Sequence, residues 1–171
     1  MIVSAHDGYP RLLHSGADFI EIDVRRAAGG EIILAHDEPR TEDRHPTLAQ
    51  VLAEIDGQTG LHLDLKESGF ETELLAMVLA RLPPDRVVVT PDFDESVRTI
   101  KERHPEVRVS PIDFVAVDRD KLSGYSGPRL PIWVWTVDDK RSMKRYMKDA
   151  RIEGIITNRP DPALKLRKAR S

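Results

Sequence analysis

The chain has 171 residues, 40% of them hydrophobic, which suits one compact domain spanning residues 1–171. Its 26 basic and 29 acidic residues give a net charge of −3, so no basic field is available to hold nucleic acid or an anionic membrane. Because the sequence contains no cysteine, disulfide scaffolds, thiolate metal sites and cysteine nucleophiles are excluded.

The first ten residues lack the basic region and apolar stretch of a targeting signal. No run approaches the roughly 18 apolar residues of a membrane span. We therefore expect a soluble, unprocessed, cytoplasmic protein without stable membrane insertion. Nothing in the sequence points to a particular oligomeric state.

Short β-rich runs alternate with helical or turn segments along the chain, which is typical of a parallel sheet. The predicted strands are Ile2–Ala5, Phe19–Val24, Glu31–Ala35, Leu61–Lys66, Arg86–Thr90, Val107–Ser110, Ile132–Val137 and Gly154–Thr157. Capping boxes predict helix starts at Thr47–Gln50 and at Ser68–Glu71. The second is followed by an apolar stripe of Phe70, Leu74, Val78 and Leu82. Further helices are predicted over Asp94–Arg103 and Asp138–Lys148 and after Pro160.

Eight parallel strands with helices predict a (β/α)8 barrel, although such barrels usually have about 250 residues and rarely fewer than about 200. The missing length is predicted between the first two strands, where residues 8–18 are too few for a full helix and two loops. An open doubly wound sheet would show the same alternation of elements, and periodicity does not separate the two architectures.

Strand parity directs acidic side chains to one face of two strands. Glu21 and Asp23 share a face of their strand, while the aliphatic residues between them face the opposite way, towards helices. Likewise, His62, Asp64 and Lys66 share a face of the later strand. In a barrel these side chains point inward, where unpaired ionised groups would be very costly.

Three inward carboxylates, Glu21, Asp23 and Asp64, suit a hard divalent cation such as Mg²⁺ or Ca²⁺, and the carboxyl ends of barrel strands are where active sites lie. The alternative is a set of buried ion pairs, such as Lys66 with Asp64, or an exposed strand face. Two histidines, His6 and His36, each follow a predicted strand and are expected at the same barrel mouth, where imidazole can act as acid or base.

Seven segments in order resemble the glycerophosphodiester phosphodiesterase family over nearly the whole chain. They are Ala5-His6-Asp7-Gly8, Gly16 to Val24, His36-Asp37, Pro46-Thr47-Leu48, Leu63 to Lys66, Trp135-Thr136-Val137 and Gly154 to Pro160. The resemblance implies a compact (β/α)8 TIM barrel of the PLC-like phosphodiesterase type, with a truncated first helix and no large insertion. It also implies metal-dependent hydrolysis or cyclisation of a glycerol- or lipid-type phosphodiester.

The resemblance also implies roles for individual residues. Glu21, Asp23 and Asp64 correspond to the metal ligands, and His6 and His36 to the acid and base. Lys66 corresponds to a phosphate contact, and Trp135 to a residue lining the substrate pocket. For Trp135 the alternative is simple core filling, because Trp133 shares its strand face.

Several features depart from the family pattern. Asp7 replaces the usual arginine of a His-Arg-Gly motif, the Glu-Asn-Thr motif is absent, and the usual long insertion is reduced to Glu38–Pro46. Asp64 stands where most members have glutamate. The related venom-type phospholipases D resemble this chain in having aspartate there. We expect Asp7 on the substrate-binding side, joining the metal's shell or hydrogen-bonding His6. These departures keep open an alternative function: a catalytically weakened barrel that binds a phosphorylated ligand or a protein partner.

Overall fold

The computed structural model describes residues 1–40 and 43–169, so residues 41, 42, 170 and 171 of the predicted domain lie outside the described residues. The strands are β1 Ile2–Ala5, β2 Phe19–Arg26, β3 Ile32–Leu34, β4 Gly60–Leu65, β5 Val87–Pro91, β6 Arg108–Val109, β7 Val115–Asp118, β8 Ile132–Trp135 and β9 Ile152–Thr157. The α-helices are α1 Leu48–Glu54, α2 Glu71–Leu79, α3 Asp94–Arg103, α4 Lys140–Tyr146 and α5 Pro160–Lys168.

Eight parallel strands curl into the predicted (β/α)8 TIM barrel, in the order β6-β5-β4-β2-β1-β9-β8-β7. The first and last strands pair directly, with Ile2 opposite Gly154 and Ala5 opposite Thr157. This contact gives the parallel strands the cyclic order of a barrel, in which each lies beside its sequence neighbour except at a seam between β6 and β7, and an open doubly wound sheet does not have that order. In the described residues no ladder joins β6 to β7, and a single bond from Ala116 N–H to Ser110 Oγ, 3.4 Å long, spans this seam.

Two strand predictions need correction, although the predicted number of parallel strands is right. The segment predicted at Glu31–Ala35 forms β3, which pairs antiparallel with β2 as a hairpin extension and is not a barrel strand. The strand β7, Val115–Asp118, was not predicted and takes the vacant place in the barrel. An apolar run alone reports neither the direction nor the partner of a strand, because both are set by tertiary pairing.

The helices largely follow the predictions. Thr47 caps α1 in a reciprocal capping box with Gln50, as predicted. The second predicted box is wrong: no side chain caps α2, because Ser68 donates its hydroxyl hydrogen bond to Glu95 instead. Described residues between β1 and β2 form turns and no helix, which confirms the predicted truncation. None of the helices in the described ranges is long and apolar enough to cross a membrane.

Strand parity produces two separate apolar layers. The outward face of β2 and β4 packs against the helices, as predicted, and carries Ile20, Ile22, Val24, Leu61, Leu63 and Leu65. The lower half of the barrel interior holds a second cluster of Phe19, Val88, Phe114, Trp133 and Ile156. Trp133 fits there because position 154 is glycine; a Cβ at that position would lie 2.9 Å from Trp133 Cδ2. This aromatic cluster lies directly below the polar residues of the upper barrel interior.

Candidate active site

A cavity of about 330 Å³ opens above the aromatic cluster, at the carboxyl ends of the barrel strands. It brings together eight of the predicted site and inward-facing residues: His6, Glu21, Asp23, His36, His62, Asp64, Lys66 and Trp135. Its other walls come from Thr90, Asp92, Ala116 and Ile156. Asp7 is the one predicted site residue that does not line it.

The three predicted metal ligands converge in this cavity. Each of Glu21, Asp23 and Asp64 offers a carboxylate oxygen, and the three oxygens lie within 4.8 Å of one another. The convergence follows from register, because Asp23 on β2 lies directly opposite Asp64 on β4 and Glu21 is two residues before Asp23. Oxygen atoms at this spacing could share one divalent cation with oxygen distances of about 2.0 to 2.6 Å.

Lys66 compensates part of this negative charge. Its ammonium lies 2.7 Å from Asp64 Oδ2 and 3.2 Å from Asp23 Oδ1, so the ion pair considered from sequence is present. Burial raises the pKa of the Asp64 carboxyl, and the hydrogen bond from Lys66 opposes that effect only in part. Burial would lower the pKa of Lys66, but its two carboxylate partners outweigh burial and raise it.

Glu21 is not paired with Lys66. Its side chain is 3% exposed, and its Oε2 accepts a 2.8 Å hydrogen bond from the backbone N–H of Asp7. Burial raises the pKa of Glu21 to about 8, and the negative charges of Asp23 and Asp64 add to that effect. A neutral Glu21 is one way to relieve the repulsion among three carboxylates, and a bound cation is the other.

One buried oxygen indicates that the carboxylates fit a cation. In the described ranges, Asp64 Oδ1 is buried and has no hydrogen-bond partner. A buried carboxylate oxygen without a partner is costly, and a metal ion would satisfy it. The one ammonium leaves the three carboxylates with excess negative charge. Their oxygens form an all-oxygen donor set, which suits Mg²⁺ or Ca²⁺.

His6 lies at the end of β1 and is held by residues that the sequence did not single out. Its Nδ1 is 3.1 Å from Asn158 Oδ1, and Asn158 Nδ2 donates a 2.9 Å bond to Asp138 Oδ2. Burial would raise the pKa of Asp138, but hydrogen bonds from Asn158 and Thr157 outweigh it and lower the pKa. The signal for Asn158 was its place in the Gly154 to Pro160 segment; nothing local marked Asp138.

His36 follows β3, two residues after that strand ends, and lines the same cavity. Its side chain is 72% exposed, and its Nδ1 lies 2.8 Å from Asp37 Oδ1. His6 is half-buried and also lines the cavity. Neither ring is therefore buried in the helix layer, and both reach the space in which the carboxylates converge.

Asp7 lies beside the cavity. It lines an adjoining space of about 470 Å³ that shares Asp23 and His36 with the first. Its backbone has a positive φ of 44°, which aspartate tolerates better than most residues and which directs its N–H to Glu21. The hydrogen bond expected from the His6 ring to the Asp7 carboxylate is not found among the described residues, and His6 Nδ1 lies beside Asn158 Oδ1 instead.

The two tryptophans of β8 have different environments. Trp133 is fully buried in the aromatic cluster, and its indole N–H donates a 2.7 Å bond to Glu153. Trp135, two residues later, is 41% exposed and lines the cavity mouth. Core filling therefore describes Trp133 and does not describe Trp135.

His62 forms the floor of the cavity. It is 1% exposed, packs edge-on against Trp133, and has Ser4 and Thr90 hydroxyls at its two ring nitrogens. Burial lowers the pKa of His62 to about 3, so this ring is neutral at physiological pH. Parity predicted its inward direction, but its hydroxyl partners come from two other strands and carry no local signal.

Comparison with known proteins agrees with the motif resemblance. A glycerophosphodiester phosphodiesterase of Caldanaerobacter subterraneus is 22% identical over 218 aligned positions, covering 92% of this chain and 89% of that protein. No protein-family model matches the chain.

Solved structures share the fold over almost their full length. A glycerophosphodiester phosphodiesterase from Parabacteroides distasonis is 19% identical with a TM-score of 0.80, covering 99% of this chain and 98% of that one. A phosphodiesterase from Oleispira antarctica in complex with the product sn-glycerol-3-phosphate is 16% identical with a TM-score of 0.75, covering 98% and 97%. These similarities confirm that the chain has the TIM-barrel fold of glycerophosphodiester phosphodiesterases.

Proposed function

We propose that the protein is a phosphoric diester hydrolase that uses one divalent cation, Mg²⁺ or Ca²⁺, to cleave a glycerol- or lipid-type phosphodiester. The observation that carries the proposal is the convergence of Glu21, Asp23 and Asp64 within 4.8 Å at the barrel mouth. The shared fold and the names of the relatives support the same reaction class.

Glu21, Asp23 and Asp64 would hold the cation, which supplies Lewis acidity that stabilises charge developing on the phosphoryl oxygens. Lys66, 2.7 Å from Asp64, adds a positive charge beside the same position and would offset the charge of the substrate phosphate. Trp135 and Asp7 would contact substrate at the rim, because one lines the cavity mouth and the other lines the adjoining space.

The two histidines would transfer the protons. In each ring Nδ1 already faces an oxygen acceptor, Asn158 for His6 and Asp37 for His36, which leaves Nε2 for proton transfer. One histidine takes the proton of the attacking oxygen, from water in hydrolysis or from the substrate's own adjacent hydroxyl in cyclisation. The other protonates the leaving alkoxide.

The second candidate is a weakened barrel that binds a phosphorylated ligand or protein partner without turnover. The observation that favours it is that the Lys66 ammonium contacts both Asp23 and Asp64, which offsets one unit of the negative charge that a metal would otherwise have to balance. Asp7, which places a carboxylate where the family has an arginine, favours it as well.

A metal-dependence assay separates the two candidates. Turnover of a glycerol-type phosphodiester should require Mg²⁺ or Ca²⁺, stop when a chelator is added, and be lost in Glu21→Gln. Glu73→Gln, a matched change on the outer surface of α2, should leave turnover intact. Turnover that survives the chelator would contradict the metal role. Phosphate-ligand binding without turnover in wild type would establish the binding candidate.

A further inference from the structure

The charges of the chain are unevenly distributed, although its net charge of −3 hides this. Residues 140–171 contain 11 of the 26 basic residues and 3 of the 29 acidic ones, which gives them a net charge of +8. Residues 1–139, with 15 basic and 26 acidic residues, have a net charge of −11. The basic end of the chain includes α4 and α5. A local positive field is therefore present, although the net charge alone predicts none.

The basic residues of α4 lie on one side of that helix. Their spacing of one and four residues places them within an arc of about 140° in a helix of 3.6 residues per turn. On the other side of α4, Met143 and Tyr146 are buried against the barrel. The exposed basic residues are Lys140, Arg141, Lys144, Arg145 and, just after the helix, Lys148.

The neighbouring helix α5 extends the same surface. The two helices contact each other, since they follow the paired parallel strands β8 and β9. Lys165 and Lys168 are exposed on α5, and Arg159 is exposed just before it. These three residues and the five of α4 make up what we call the basic face. Within the described part of the chain, none of the eight forms a salt bridge with a carboxylate.

Acidic residues offset little of this charge. Asp149, which follows α4, is already ion-paired with Arg151 at 2.7 Å, and Asp161 is exposed in the first turn of α5. Along α4, Lys140 and Lys144 are four residues apart, a spacing at which like charges repel and destabilise a helix. A polyanion bound to the basic face would offset this repulsion.

The shape of the basic face favours a lipid surface over a nucleic acid. Duplex DNA is read by an element that enters a groove, and single strands stack on exposed aromatic rings. The basic face consists instead of two helices lying side by side, and the aromatic residue of α4, Tyr146, is buried. A membrane with anionic lipids attracts clusters of lysine and arginine by charge, without insertion of apolar side chains.

The basic face adjoins the mouth of the catalytic cavity. Strand β8 ends at Trp135, which lines the mouth, and α4 begins five residues later at Lys140. Strand β9 ends at Thr157, and Arg159 follows it. Because each of these helices begins near the carboxyl end of the preceding strand, the basic face starts at the mouth and continues down the outer wall. A membrane on this face would lie beside the cavity entrance.

We propose that the basic face binds membranes containing anionic phospholipids and holds the enzyme at the lipid surface by charge. The inference rests on the proposed function, because such a surface is where a lipid-type phosphodiester would be presented. The net charge of −11 on residues 1–139 repels the same lipids. Attachment is therefore confined to the basic face, reversible and weakened by salt.

Co-sedimentation with vesicles measures the attachment without requiring turnover. Vesicles of phosphatidylcholine with about 30% phosphatidylglycerol should bind wild type at about 50 mM salt, and about 500 mM salt should release it, because salt screens exposed charges. Vesicles of pure phosphatidylcholine should not bind it.

Two variants that each lose three positive charges locate the attachment. The first removes three charges from the basic face and should bind anionic vesicles about 10- to 100-fold more weakly, since each basic residue near the lipid contributes to the attraction. The matched control removes three exposed charges from other parts of the surface and should stay within about threefold of wild type. The first variant is Lys144→Gln, Arg145→Gln and Lys148→Gln, and the control is Arg98→Gln, Arg103→Gln and Lys121→Gln.

Both variants should turn over a water-soluble phosphodiester as wild type does, because none of the six positions lines the catalytic cavity. Equal vesicle binding by the two variants, or no binding of anionic vesicles by wild type, would overturn the inference. Tighter binding to duplex DNA than to vesicles at equal phosphate concentration would also overturn it and assign the basic face to nucleic acid. Salt-sensitive vesicle binding by a protein that never turns over a diester would instead contradict the proposed function alone.

Discussion

The barrel interior contains two layers that differ sharply although the same strands build both. On β2, Phe19 belongs to the aromatic cluster and Glu21, two residues on, belongs to the carboxylate site. On β8, Trp133 is fully buried and Trp135 is 41% exposed. Each pair shares a strand face, so only height along the barrel axis separates core from candidate active site.

The buried polar group of the lower layer has a hydrogen-bond partner, whereas the upper layer has a buried oxygen without one among the residues described. Trp133 packs on Phe19 and Phe114 with ring centroids 5.6 and 5.0 Å away, and its N–H is bonded to Glu153. Above it, Asp64 Oδ1 is buried without a partner in the described residues, and the pKa of Glu21 is raised to about 8. The lower layer therefore has its polar group satisfied, and the upper layer has a buried oxygen that the proposed cation would satisfy.

The largest expected effect is on catalysis in the upper layer. His6→Ala and His36→Ala should each lower kcat by about 10² to 10⁴ while leaving metal affinity and unfolding free energy nearly unchanged, because each removes a proton-transfer group. Steady-state rates and metal titrations on the same preparations provide the check. His14→Ala on the exposed turn after β1 is the matched control. A similar loss of kcat in this variant would show that the effect is not specific to His6 and His36.

The tryptophans of β8 provide the test of the two layers themselves. Trp133→Ala should lower the free energy of unfolding by about 3 to 5 kcal/mol, because it empties a closely packed site. Trp135→Ala should change stability little and raise KM. Denaturant unfolding and kinetics measure both. Equal destabilisation by the two variants would show that the mouth is part of the core.

The metal-free protein should lose stability as the pH rises, because of Glu21. Below its ordinary pKa of 4.5 the residue is protonated in folded and unfolded chains alike and has no linked effect. Between 4.5 and about 8 the unfolded chain releases the proton and the folded chain keeps it, so stability falls by on the order of 5 kcal/mol. Glu21→Gln should remove this fall. Parallel pH profiles of the two proteins would contradict the raised pKa.

A smaller effect is expected at Asp7. Asp7→Arg should tighten phosphodiester binding and weaken metal binding, each by about 2- to 10-fold, since it replaces a negative with a positive charge near the mouth. Asp7→Asn, which tolerates the positive φ equally well, should have phosphodiester and metal affinities between those of wild type and Asp7→Arg. The ratio of KM to metal dissociation constant across the three proteins is the measurement. Identical negligible rates with no metal binding in any of them would favour the non-enzymatic candidate.

Residues whose direction follows from the alternation of side chains along a strand were predictable, and the reason is geometric. The alternation of β2 and β4 placed Glu21, Asp23 and Asp64 on inward faces, and parallel pairing brought Asp23 beside Asp64. The Thr47 capping box and the bounds of α3 were likewise local patterns. Periodicity could not reveal that β3 runs antiparallel, since the same apolar run fits either direction.

Partners from distant segments were not predictable. Ser68 looks like a helix cap in sequence but donates to Glu95, 27 residues away. Asp138 supports His6 through Asn158, across intervals of 20 and 152 residues. Such hydrogen bonds depend on how the barrel closes, and only the folded chain brings these atoms together.

The most direct test of the account is a crystal structure of the protein grown with Mn²⁺, whose anomalous signal marks its position. The account predicts one ion bonded to carboxylate oxygens of Glu21, Asp23 and Asp64 at about 2.0 to 2.6 Å, with Asp64 Oδ1 no longer without a partner. A structure in which Mn²⁺ is absent from this position at millimolar concentration, with the Lys66 ammonium still between Asp23 and Asp64, would contradict it.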